Sequence, residues 1–165
     1  MRSDSRTFEQ LLDGYFNTFY REHPADATHV GLSTGEGRLN PATLTALRKQ
    51  QARRRAAQVK LDTIAPSALS NEQNLDRLAF RGRLLRECEE FDRGRHELDP
   101  TGIDEVLGFL LKELQRGEDK PKRAARNIRG LLRDTPRYLG QAARLVTRPE
   151  RVWRGIMADS FKASG

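Results

Sequence analysis

The residues best suited to metal chemistry come early, in the stretch "REHPADATHVG" (Arg21 to Gly31), where His23 and His29 stand six apart with Asp26 midway. Imidazole and carboxylate are legitimate ligands for zinc and related ions. The spacing argues against a shared ion, because residues six apart on a helix sit about 240° around its axis. Pro24 also separates His23 from the groups that follow, and proline is at home in the first turn of a helix. The stretch reads better as structural punctuation: Pro24 opens a short helix, Ala27 and Val30 pack, and Gly31 closes the turn in the left-handed conformation. The third histidine, His96, begins "HELDP" as HExxH would, but Pro100 stands where the second imidazole is needed. The lone Cys88, in "LLRECEEF", reads as a small packing residue. No GxSxG elbow, P-loop, GxGxxG or CxxC motif occurs. Accordingly no catalytic residue, metal ligand or cofactor is expected in this chain.

One charged feature keeps a helical phase. Lys122, Arg126, Arg129 and Arg133 follow the spacing i, i+4, i+7, i+11, which gathers them in one arc of a helix. Such a row can meet phosphates or an acidic protein surface, but it lacks the interleaved aromatics of a single-strand binder. It lies in the part of the chain that carries the excess charge. From Arg116 to Gly165 there are thirteen Lys and Arg against five Asp and Glu, in a chain of net charge +7. A nucleic-acid surface, a membrane surface and a docking face all fit that asymmetry. By contrast Arg48, Lys49, Arg53, Arg54, Arg55 and Lys60 share no face, and predict a solvated helix.

The elements that position these residues are helices. Phe8, Leu11, Leu12, Tyr15, Phe16, Phe19 and Tyr20 give an aromatic amphipathic first helix. Pro41 predicts the start of a second, reaching about Ile64. Ser70 with Gln73 forms a capping-box pattern that starts a third, apolar on two sides: Leu75, Leu78 and Leu85 on one, Phe80, Leu84, Cys88 and Phe91 on the other. Ile103, Val106, Leu107, Leu110, Leu111 and Leu114 define a fourth. Ala124, Ala125, Ile128, Leu131 and Leu132 are the buried side of a fifth beginning near Pro121. Thr135 before Pro136 predicts an N-cap and a sixth, carrying Leu139, Ala142, Ala143 and Val146. Pro149 opens a seventh, with Val152, Trp153, Ile156 and Met157 apolar. No stretch alternates as a strand would. The expectation is an all-α array of about seven helices in antiparallel hairpins with short loops and no sheet, one helical domain over 1–165. The start "MRSDSRTFEQ" contains no leader-like apolar run, so the expected address is cytoplasmic, with no membrane contact.

The order of these signals carries a resemblance. An aromatic first helix, "HPADATHVG", "GRLNPATLTALR", "LSNEQNLDRLAFRGRLLREC" and "RLLRDTPRYLGQAARLVTRPERVW" together resemble the N-terminal region of the bacterial "domain of unknown function 885" family, whose full-length members look like zincin-type zinc metallopeptidases. Pro24, Thr28 and Gly31 match that family's P, T and G pattern; Pro136, Tyr138 and Leu139 match its proline turn, and Pro149 opens the next helix. The resemblance implies a helical portion that flanks a substrate cleft, without the HExxH zinc site, which lies downstream in the longer members. It implies a non-catalytic module acting through a protein partner, a further domain or self-association, with zinc only in the longer relatives. The alternative is a basic helical nucleic-acid-binding protein.

Overall fold

The computed structural model describes residues 2–33, 35–99, 102–117 and 119–163. Among them are eight α-helices and no strand: α1 (Arg2–Glu22), α2 (Pro24–His29), α3 (Leu44–Asp62), α4 (Asn71–Asp92), α5 (Arg95–Leu98), α6 (Gly102–Arg116), α7 (Pro121–Leu145) and α8 (Arg151–Ala163). The chain divides into two compact units, one of Met1–Phe19 with Thr45–Arg95, the other of Tyr20–Leu44 with His96–Gly165.

The first unit is built by α1, α3 and α4. Phe8, Tyr15 and Phe19 are buried on α1, as the aromatic periodicity predicts, and Phe80, Leu84 and Cys88 are buried on α4. Tyr15 meets Phe80 edge-on at 4.9 Å between ring centroids, a favoured geometry. The capping box at Ser70 forms as expected: Ser70 Oγ accepts from Gln73 N–H, and Gln73 Oε1 accepts from Ser70 N–H. Two expectations are corrected. Leu75, Leu78 and Leu85 are exposed rather than covered, because they lie on the side of α4 opposite Phe80 and Leu84. The arginine-rich α3 is not wholly solvated, since its polar side chains turn toward α4. Gln50 and Gln51 are buried; Gln51 Nε2 donates to the Cys88 carbonyl at 3.2 Å and to Asp92 Oδ1 at 3.0 Å. Arg54 pairs with Glu87 at 2.8 Å, Arg83 meets the same carboxylate at 2.7 Å, and the Arg53 guanidinium lies over the Tyr15 ring.

The second unit is organised by the α6–α7 hairpin. Glu113 accepts from Asn127 Nδ2 at 3.0 Å, and Tyr138 O–H donates to Glu105, so the two helices run antiparallel. Val106, Leu131 and Tyr138 form a core with Leu39 and Ala42 of the segment leading to α3. That segment is held by α7 side chains. Asp134 Oδ2 accepts from Leu39 N–H at 2.8 Å, Gln141 Oε1 from Ala42 N–H at 3.1 Å, and Arg137 donates to the Leu39 carbonyl. A Cβ on Gly130 would stand 2.6 Å from the Gly37 carbonyl oxygen, so both glycines permit a backbone-to-backbone approach. Residues 41–43 are therefore not helix, and α3 begins at Leu44 rather than Pro41.

The α7 helix overturns another expectation. It runs unbroken from Pro121 to Leu145 with Pro136 inside it, so the predicted fifth and sixth helices are one. Thr135 is no N-cap; its hydroxyl donates to the Leu131 carbonyl one turn back at 2.8 Å. Proline is tolerated there because Pro136 is exposed, on the solvent side, where water can reach the carbonyl that loses its donor. At the other end, α8 begins two residues after Pro149, whose own segment is pinned by Arg148 N–H donating to the Glu97 carbonyl.

Candidate docking face

The stretch around the histidines behaves as punctuation. Pro24 occupies the first turn of α2, and its carbonyl accepts from the buried Thr28 hydroxyl at 2.9 Å. Gly31, at φ 93°, donates its N–H to the Thr28 carbonyl while Leu32 N–H donates to the Ala27 carbonyl, the two bonds of a Schellman motif. Val30 corrects the expectation that it packs, being 53% exposed, whereas Ala27 is fully buried. His23 is buried at the start of α2 and His29 exposed at its end, with Asp26 accepting from Asn40 Nδ2. Among the described residues no three His, Cys, Asp or Glu side chains gather to hold an ion. His96 lies in the four-residue α5; Pro100 lies outside the described residues. Cys88 is buried, and burial pushes its thiol pKa up.

The basic row survives as a geometric object. Steps of about 100° place Lys122, Arg126, Arg129 and Arg133 on the side of α7 opposite the buried Ala124, Asn127, Leu131 and Tyr138. All four are exposed. Arg126 reaches Glu36 at 3.3 Å, and Arg123 from the flank of α7 also donates to that carboxylate. Arg123's hydrogen bond holds the Glu36 carboxyl below the ordinary range against the opposing pull of desolvation. Lys122, Arg129 and Arg133 make no ion pair with a carboxylate among the described residues.

The residues that sequence reasoning assigned to the wrong environment are leucines. Leu107, Leu111 and Leu114, expected in the core, are 56%, 55% and 61% exposed, while Val106 on the same helix is 2% exposed. Leu132, expected buried, is 54% exposed. Ala125 and Ala143 are also exposed, as are Val152 and Ile156 of α8; Trp153 is half-buried, and the side chains of Ile103 and Met157 lie outside the described residues. The signal was present in the sequence. The apolar arc of α6 spans about 140° from Val106 to Leu111, more than one facing helix covers.

Near the α6–α7 turn lies a cleft of about 280 Å³ whose rim includes Arg116, Lys120 and Arg123, with the buried Glu113 and Asn127 at its base. Its arginines are already engaged. Arg116 donates to the Thr28 and His29 carbonyls at the C-terminus of α2, and Arg123 to Glu36. The charge of these two arginines thus serves the fold.

The positions carrying the family resemblance are structural. Thr28, Gly31 and Pro24 shape the ends of α2; Tyr138 is buried, its phenol pKa raised by burial and by its hydrogen bond to Glu105; Leu139 packs on the core, and Pro149 is exposed before α8. No helix is long and apolar enough to cross a membrane among the described residues. Comparison of the chain with family models, with curated proteins and with solved structures finds no match in any of the three.

Proposed function

We propose that the chain is a non-catalytic helical interaction module that works through a protein partner, with the cytoplasm as its expected address. The observation that carries this reading is the exposed row Leu107, Leu111 and Leu114, joined by Leu132, on the best-packed hairpin of the second unit. Four half-exposed leucines leave an apolar patch of the order of a few hundred Å², the size at which exposed surface finds partners. The order of helix signals from Phe8 to Met157 supports a relationship to the N-terminal, cleft-flanking portion of the zincin-like family it resembles. On that reading zinc and peptide hydrolysis belong to longer relatives. The test is a photo-crosslinking residue at position 111 in the producing cell, followed by reconstitution with the captured protein and a peptide-cleavage assay. A complex that Leu111→Asp abolishes, with no cleavage above background, is expected. Chelator-sensitive hydrolysis by the chain alone would overturn the reading.

A second reading, nucleic-acid binding, is favoured by one observation: Lys122, Arg129 and Arg133 are exposed on one row without carboxylate partners among the described residues. It requires submicromolar binding at physiological salt that weakens with a log–log slope of about −0.9 per phosphate contacted on duplex DNA.

A further inference from the structure

The leucine face and the basic row are neighbours, and their arrangement specifies what would cover them. Val106 on α6 and Leu131 on α7 are buried in one core and mark the contact line of the hairpin. Stepping forward from that line by about 100° per residue puts Leu107, Leu111 and Leu114 at about 80–140° on α6. The same stepping puts Leu132 at about 100° and Ala125 at about 120° on α7. In an antiparallel pair of right-handed helices, equal forward rotations from the contact line turn both toward the same side. The four leucines therefore share one side of the hairpin. An independent observation fixes the other side: Gly130 and Asp134, which step backward from the line, are the residues that hold Gly37 and Leu39. The segment at 36–42 packs there, leaving the leucine side open. Lys122, Arg129 and Arg133 follow at about 160–200° on α7, exposed and without carboxylate partners among the described residues, so a cationic edge lies beyond Leu132; Arg126, at about 220°, turns to Glu36 at 3.3 Å.

We infer that this face is the docking site for an amphipathic helix of a protein partner, bearing acidic residues along one edge of its apolar stripe. The inference rests on the interaction-module reading and adds the surface and the partner's chemistry. Charge complementarity selects the occupant. The apolar strip takes leucine-type side chains, and Lys122, Arg129 and Arg133 beside it span about 16 Å, or three helical turns, over which carboxylates at i, i+4 and i+11 would meet successive cations. A second copy fits poorly, because the outer side of α6 offers Asp104, Gly108, Lys112 and Gln115, with one carboxylate to set against three cations. A nucleic acid would match the cations and leave the leucines wet.

The test uses the full chain and two labelled 18-residue helical peptides with one leucine stripe, edged by Glu in the first and Lys in the second, read by fluorescence anisotropy across a salt series. The Glu peptide is expected to bind at least tenfold more tightly than the Lys peptide, with the difference shrinking as salt rises. Leu111→Asp should abolish binding of both peptides. The double variant Arg129→Glu, Arg133→Glu should reverse the preference, an outcome that a folding defect cannot imitate; circular dichroism checks that each variant stays helical. Equal binding of the two peptides, no binding, or binding indifferent to Leu111→Asp overturns the inference. So does concentration-dependent dimerisation lost in Leu111→Asp, which assigns the face to a second copy, or DNA binding that needs Arg129 and Arg133 but not Leu111. A non-acidic partner captured at position 111 would leave the module reading standing and sink this inference alone.

Discussion

The arginines packed between α3 and α4 and those of the α7 row are used in opposite ways. In the first unit, arginines of α3 and α4 turn inward onto rings and carboxylates: Arg54 and Arg83 share Glu87, and Arg83 also lies over Phe19 at 4.7 Å from its centroid. Such guanidiniums are fixed by charge-assisted bonds and ring faces, and belong to the fold. In the second, the arginines of the α7 row point away from the core and the leucines of α6 are half-uncovered beside them. Arginine serves cohesion in one place, while Arg129 and Arg133 in the other make no ion pair with a carboxylate among the described residues. Composition cannot distinguish these uses; only the partners do.

The largest effects should come from the buried side of the first unit. Phe8 and Leu84 are almost completely buried, so Phe8→Ala should cost about 3–5 kcal/mol and Leu84→Ala about 2–5 kcal/mol, read from urea midpoints. Loss of under 1 kcal/mol in both would show that Phe8 and Leu84 are not core residues. Next is Glu87→Ala, which strands Arg54 and Arg83. With side-chain exposures of 13% for Arg54 and 14% for Glu87, the cost should be about 3 kcal/mol, and Glu87→Gln should be milder.

Acid should then weaken both units in the same direction. Burial works to raise the Glu87 pKa, but Arg83 and Arg54 outweigh it and hold the carboxyl low; Arg137 and the Leu39 N–H do the same for Asp134. A carboxylate whose folded pKa is depressed contributes stability above its unfolded value of about 4, and that contribution is lost as pH falls through the folded value. Unfolding midpoints should therefore fall between about pH 5 and pH 2. Asp134→Asn should flatten part of that slope while costing about 1–3 kcal/mol at pH 7 for the disrupted bonds to Arg137 and Leu39. A slope unchanged in Asp134→Asn would show that Asp134 does not contribute to the acid sensitivity. The smallest effect belongs to the open face: Leu111→Ser and Arg129→Gln should change stability by no more than about 0.5 kcal/mol each.

Much of the helical plan was legible in the sequence, for reasons visible in particular residues. The phase of Phe8, Tyr15 and Phe19 marks the core face of α1, and Ser70 with Gln73 marks the start of α4, because both signals are local. Pro136 is misleading as a breaker because its effect depends on its phase in the helix. Leu131, Tyr138 and Ala142 keep one phase across it, and Pro136 falls on the far side, where a helix tolerates it. The packed side of α3 was hidden because Gln51, Arg54 and Arg55 find their partners in Glu87, Cys88 and Asp92, more than thirty residues onward. The basic row could be read directly, since phase alone defines it. The leucine face could not, because exposure depends on which neighbours arrive, and a leucine stripe looks the same whether or not one does.

The docking face requires that the leucines of the α6–α7 hairpin be open while those of the core are closed. Methyl-resolved NMR with a soluble, uncharged paramagnetic agent tests it most directly, on dilute protein shown to be monomeric. The methyls of Leu107, Leu111, Leu114 and Leu132 should relax strongly as the agent is added, while those of Leu39, Leu61, Leu84 and Leu131 should be nearly unaffected. Equal protection of both groups in the monomer would contradict the docking face.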